Sequence, residues 1–132
     1  DGNPLAEWMD ANARLLSILP EDQLVLPAHQ SPFTGLHVRI NQIIDAHRVN
    51  LQAIYDYLSK PLRVVDCFPS LFARTISAKL LGLATGETLA NLNLLVHRGN
   101  VRRTQDAHGV NWYVQNPDAR YIDTDDHTPA AT

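Results

Sequence analysis

Apolar positions along the chain fall into short runs of changing period. Asn3-Pro4 reads as a helix start, because the Asn oxygen can accept an orphan N–H and Pro has no N–H to leave unpaired. Leu5, Trp8, Met9, Leu15, Leu16 and Leu19 then recur at helical spacing until Pro20, predicting a helix over about residues 4–18. Gln23 to Leu26, closed by Pro27, has the length of one strand. A lone strand leaves its backbone groups unpaired when buried, so a neighbouring strand from outside the chain is expected.

From Leu36 to about Ser59, Ile40, Ile43, Ile44, Leu51, Ile54 and Leu58 share one face of a long helix, and Lys60-Pro61 ends it. Leu62 to Val64 has strand character. A helix is expected to hold Phe68, Leu71 and Phe72, with Pro69 in its first turn. A second apolar stretch, Ile76 to Leu83, breaks around Gly82. Thr85-Gly86 opens a further helix with Leu89, Leu92 and Val96 inward, ended by His97, Arg98 and Gly99. Val101–Gln105 and Val110–Val114, joined by Asp106-Ala107-His108-Gly109, predict a β-hairpin. From Asn116 onward no period survives, and Thr124–Thr132 reads as a mobile tail.

Composition narrows this picture. With 132 residues, 45% of them hydrophobic and 19% charged, the chain can bury one modest core. No apolar run reaches the roughly 18 residues needed to span a bilayer, so no membrane partner is expected. A net charge of -3 and a pI of about 6.0 give no global attraction for phosphate backbones, so nucleic acid is not the expected partner. Cys67 is the one cysteine, which excludes an internal disulfide and suits a reducing cytoplasm. The chain opens at Asp1 already inside a helix-start signal, so it is expected to be the end of a longer protein.

The segment Leu24-Val25-Leu26-Pro27-Ala28-His29-Gln30-Ser31-Pro32-Phe33, followed by a long helix, resembles the closing segment of metallo-β-lactamase superfamily hydrolases, where a strand ends in a Pro-Gly-His turn. Asn3-Pro4 with Arg14-Leu15 looks like the helix before that strand. Ile43-Ile44-Asp45-Ala46-His47-Arg48, Glu87-Thr88-Leu89-Ala90-Asn91-Leu92 and Gly99-Asn100-Val101 look like the C-terminal winged-helix extension of one subgroup. Three positions depart from the pattern. Ala28 stands in place of the usual Gly, and Asn50 and Asn91 stand where Arg and His are expected.

The resemblance implies a mainly α fold with a small β-hairpin, winged-helix-like, preceded by a helix-strand remnant of an α/β metallo-β-lactamase fold. The implied divisions are 1–35 for the remnant, 36–116 for the winged-helix domain and 117–132 for the tail. It also implies that His29 ligates zinc or another divalent metal in the intact protein, where a metal-bound hydroxide attacks an ester-like, thioester or phosphodiester bond. The family's His-x-His-x-Asp-His motif is absent, and one His falls short of the roughly three protein ligands a catalytic zinc needs. The chain alone is therefore expected to be inert, with no catalytic residue of its own and a missing N-terminal catalytic domain as its partner.

Each feature has a plainer reading. His29 can be a loop histidine without a ligand role. His47, on the apolar face of the long helix, reads as a hydrogen-bonded core or interface residue, and His37, His97, His108 and His127 read as surface residues. Arg98, Arg102 and Arg103 cluster at the hairpin. A nucleic-acid-binding winged helix can use such a cluster on phosphates, but a solvated strand edge is the favoured reading. Trp8 and Met9 belong to a core or an interface, which leaves homo-oligomerisation and a purely structural interaction domain open.

Overall fold

The computed structural model describes residues 2–121. The expected tail from Thr124 and His127 lie outside the described residues. The described residues divide into two compact units on either side of Asn50 and Leu51, and the division falls inside a helix.

In the first unit, α1 spans Pro4–Ile18 as the sequence predicts, with the Asn3 side chain accepting from the Ala6 N–H at 3.0 Å and Pro4 in the first turn. The next segment corrects the expected strand. Of Gln23–Leu26 only Val25 pairs, and its partner is Phe33 of the same chain, with N–H to O distances of 2.8 and 3.1 Å. The backbone groups for which an outside neighbour is expected are met here at one position only.

Helix α2, Leu36–Tyr57, follows Gly35, whose φ of +82° lies in the left-handed region that glycine enters without penalty. Ile40 and Ile44 are buried in the first unit, and Leu51, Ile54 and Leu58 in the second. His37 is half-buried, and its Nε2 lies 2.6 Å from the Leu19 carbonyl just past α1. The helix-end carbonyl thus meets a side chain eighteen residues on, so His37 is not the free surface residue its sequence context suggested. His47 packs edge-on to Trp8 at 4.9 Å between ring centroids, and its buried Nδ1 has no hydrogen-bond partner among the described residues.

In the second unit, a 3₁₀ turn, Val65–Cys67, leads into the short helix α3, Phe68–Leu71, with Pro69 in its first turn. Helix α4, Leu81–His97, starts four residues before the expected Thr85. Gly82 does not break it, and the Thr85 hydroxyl bonds the Leu81 carbonyl at 2.7 Å instead of capping. A helical glycine costs only about 1 kcal/mol, a weak local preference that tertiary context overrides, and Ala84 in this turn is buried. The buried face is Ala84, Thr88, Asn91, Leu92, Leu94 and Leu95, rotated from the expected Leu89 and Val96, which are half-buried.

The end of α4 obeys the sequence signal. Gly99 has φ +78°, its N–H bonds the Val96 carbonyl, and the Asn100 N–H bonds the Leu95 carbonyl. The antiparallel hairpin β1 (Val101–Gln105) and β2 (Asn111–Gln115) follows, in the register Val101↔Gln115 to Gln105↔Asn111. Of the expected Leu62–Val64 strand only Leu62 pairs, on the free edge of β2 with Tyr113 at 2.8 and 2.9 Å. Gln115 ties β2 back to Tyr55 and Leu58, and Asn116 ties it to Gly99 and Asn100. No helix among the described residues is long and apolar enough to cross a membrane.

Candidate functional site

The Val25–Phe33 bridge clamps the base of the loop that carries His29, and His29 is exposed upon it. No described non-glycine residue has positive φ, so Ala28 fits ordinary backbone in the place of the family's glycine. The His29 ring has no hydrogen-bond partner among the described residues, which leaves both nitrogens uncommitted. No group of three or more His, Cys, Asp or Glu side chains that could hold a metal ion occurs among those residues. One imidazole does not make a catalytic metal site, so the residues present do not by themselves fit the implied metal.

A cavity of about 610 Å³ lies beside this loop, lined by Gln30, Ser31, Pro32, Phe33 and Arg39. The sequence pattern placed Arg39 only on the polar side of α2. Nothing in it signalled that the helix's second turn shares a cavity with the His29 loop.

The hairpin arginines do not form one patch. Side chains alternate between the faces of a strand, so Arg102 stands with Val114 and Arg103 with Tyr113, on opposite sides. Arg102 is ion-paired with Asp118 and lines a cavity of about 480 Å³ with Tyr55, Ser59 and residues 114–117 and 119. Arg103 lies near the Tyr113 phenol. Burial pushes that phenol above its ordinary pKa, and the arginine's charge opposes the shift. Arg98 caps the end of α4, its N–H on the Leu94 carbonyl at 2.9 Å.

A fourth arginine escaped the sequence reading. Arg63 makes a two-pronged contact with Asp66, both distances 2.9 Å, and its guanidinium lies 5.7 Å from the centre of the Trp112 ring. That pairing raises the pKa of Arg63 and lowers that of Asp66. At the turn, the Asp106 carboxylate accepts from the Trp112 indole N–H at 2.9 Å and from the His108 and Val110 backbone N–H groups, which holds its pKa below the ordinary Asp value. Cys67 is fully buried, and burial, helped by the charge of Asp66, pushes its thiol up to about 11.

The second unit is a small helical domain closed by a capped helix and a β-hairpin, and a bridged histidine loop precedes it in sequence. The family described as "Metallo-beta-lactamase-like, C-terminal domain" matches residues 51–116. A solved structure of a beta-lactamase domain protein from Burkholderia ambifaria is similar to this chain at 32% identity and a TM-score of 0.80, over 87% of this chain and 34% of that one. A metallo-beta-lactamase family protein from Thermus thermophilus shares the fold at 23% identity and a TM-score of 0.70, over 88% of this chain and 35% of that one. No curated protein matches the chain. The chain belongs to the metallo-β-lactamase superfamily, as one of its C-terminal domains. It spans about a third of the length of both solved structures.

Proposed function

We propose that this chain is the C-terminal portion of a metal-dependent, cytoplasmic hydrolase of the metallo-β-lactamase superfamily. Residues 1–35 close its catalytic fold, 36–116 form a winged-helix accessory domain that shapes substrate access or a dimer contact, and 117–132 are a tail. His29 is one ligand of zinc or another divalent metal, and the remaining ligands come from a catalytic domain upstream. The observation that carries this reading is the His29 loop itself. Its base is fixed by the Val25–Phe33 bridge, and its imidazole is exposed with no internal partner, as a ligand awaiting a metal requires.

A nucleic-acid module is the weaker reading. Strand alternation separates Arg102 from Arg103, and Asp118 and Asp66 already pair with Arg102 and Arg63. Duplex binding that falls steeply with salt and is lost in an Arg102→Ala/Arg103→Ala variant would restore it.

The test of the hydrolase reading is to read the coding region upstream of Asp1 and measure bound metal in the longer protein. An in-frame His-x-His-x-Asp-His segment and at least a roughly tenfold weaker metal affinity in His29→Ala are expected. A frame that starts at Asp1, or metal retained unchanged without His29, overturns it.

A further inference from the structure

The cavity beside the His29 loop has walls of two kinds. Pro32 and Phe33 supply apolar surface, while Gln30, Ser31 and Arg39 supply an amide, a hydroxyl and a guanidinium. No carboxylate lines it. Arg48, Arg63 and Arg102 each pair with an Asp, but Arg39 has no ion-pair partner among the described residues. Its charge is therefore available to whatever enters.

The walls are also held in place. Phe33 is bonded in both directions to Val25, and His37 holds the first turn of α2 against the Leu19 carbonyl. A site formed before its ligand arrives loses less entropy on binding.

We infer that this cavity binds an organic anion, a phosphate or carboxylate carried on an apolar or aromatic group. The anion is held by Arg39 with Gln30 and Ser31, and the apolar part lies against Pro32 and Phe33. The inference deepens the hydrolase reading, because Gln30 adjoins His29 and the cavity would then hold the anionic end of a substrate. The residues that line the cavity all lie in this chain, so binding can be read without the metal.

The test is an amide NMR titration of the 132-residue chain with phenyl phosphate, using inorganic phosphate and benzyl alcohol as half-ligands. Saturable shifts confined to Gln30, Ser31, Phe33 and Arg39 are expected, with each half-ligand about tenfold weaker or more. Arg39→Gln should weaken phenyl phosphate by about tenfold while leaving the amides of residues 58–116 in place, and Arg39→Lys should recover part of the loss. Ser31→Ala, which leaves the helix untouched, should weaken it less. Absence of saturation, shifts centred elsewhere, or binding indifferent to both Arg39→Gln and Ser31→Ala overturns the inference. Phenyl phosphate bound by a chain whose longer form takes up no metal would leave this site standing and remove the hydrolase. Metal held through His29 with no phenyl phosphate bound would do the reverse.

Discussion

Residues 51–121 and residues 2–50 solve the same problem with unequal means. In the former, Leu51, Ile54, Leu58, Leu92, Leu94, Leu95 and Tyr113 have no exposed surface at all. In the latter only Met9, Ile40 and Ile44 are buried, while Ile18 is 70% exposed, Leu26 74% and Val49 67%. Burial of apolar area is the main favourable term in folding, so the second unit carries its own stabilisation and the first leaves much of its apolar surface unused. The lesson is one of core size. Exposed apolar side chains occur in both units, Leu83 of the second being 71% exposed, so the contrast lies in the closed core, and the family match begins at residue 51, where that core begins.

The sharpest way to break this comparison is to hollow each unit in turn. Leu95→Ala should cost about 3 kcal/mol, because a fully buried leucine loses both its transfer energy and its packing. Ile44→Ala, in the smaller core, should cost nearer to about 2 kcal/mol. Thermal or denaturant melts read both, and equal losses would remove the contrast.

Cys67 sharpens it next. With its thiol pushed up to about 11, only about one molecule in a thousand carries a thiolate at pH 8, and the sulfur is buried as well. Labelling by a disulfide reagent should therefore wait for opening of the second unit and speed up in Leu95→Ala but not in Ile44→Ala. Rapid labelling of the native chain would show that this core is not closed.

Smaller effects come from two glycines with nearly the same backbone. Gly35 has φ +82° and Gly109 φ +79°, so an added Cβ imposes about 1 kcal/mol of conformational cost at either place. Neither crowds a neighbour closely, since the nearest atom is Gln105 Nε2 at 4.0 Å from the position at Gly109. Gly109→Ala should lower the melting of the second unit, and Gly35→Ala should instead loosen the amides of Leu36–Arg39, read by hydrogen exchange.

The smallest effect is the acid response of the hairpin turn. Asp106 has a lowered pKa in the fold, so its contribution is complete above the unfolded Asp value and is lost as pH falls through the folded one. The Trp112 indole N–H resonance should therefore hold steady down to the ordinary Asp range and shift only below it. In Asp106→Asn that step should vanish. A shift near neutral pH would point to a different partner for the indole.

Much of this is legible in the sequence. Asn3-Pro4 announced α1 to the residue, Ile40, Ile44, Leu51, Ile54 and Leu58 of the apolar stripe are buried while Ile43 is half-buried, and Gly99 ended α4. These features depend on neighbours within a turn or two, where capping, side-chain spacing and left-handed backbone act locally. The start of α4 differs from the sequence expectation because Gly82 and Thr85 are locally poor helix residues, a weak preference that the fold overrides.

The candidate site divides along the same line. The sequence alone determined that His29 sits on a loop before a long helix, that the chain lacks a full ligand set, and that a hairpin follows α4. Only the tertiary structure decided that Phe33 would return to pair with Val25, that Arg39 would join Gln30 and Ser31 around one cavity, and that Arg102 would pair with Asp118. The physical reason is range. Periodicity and capping are set by residues three or four positions away, whereas a bridge across a loop, a shared cavity wall or an ion pair sixteen residues distant depends on where the folded backbone brings the partners together.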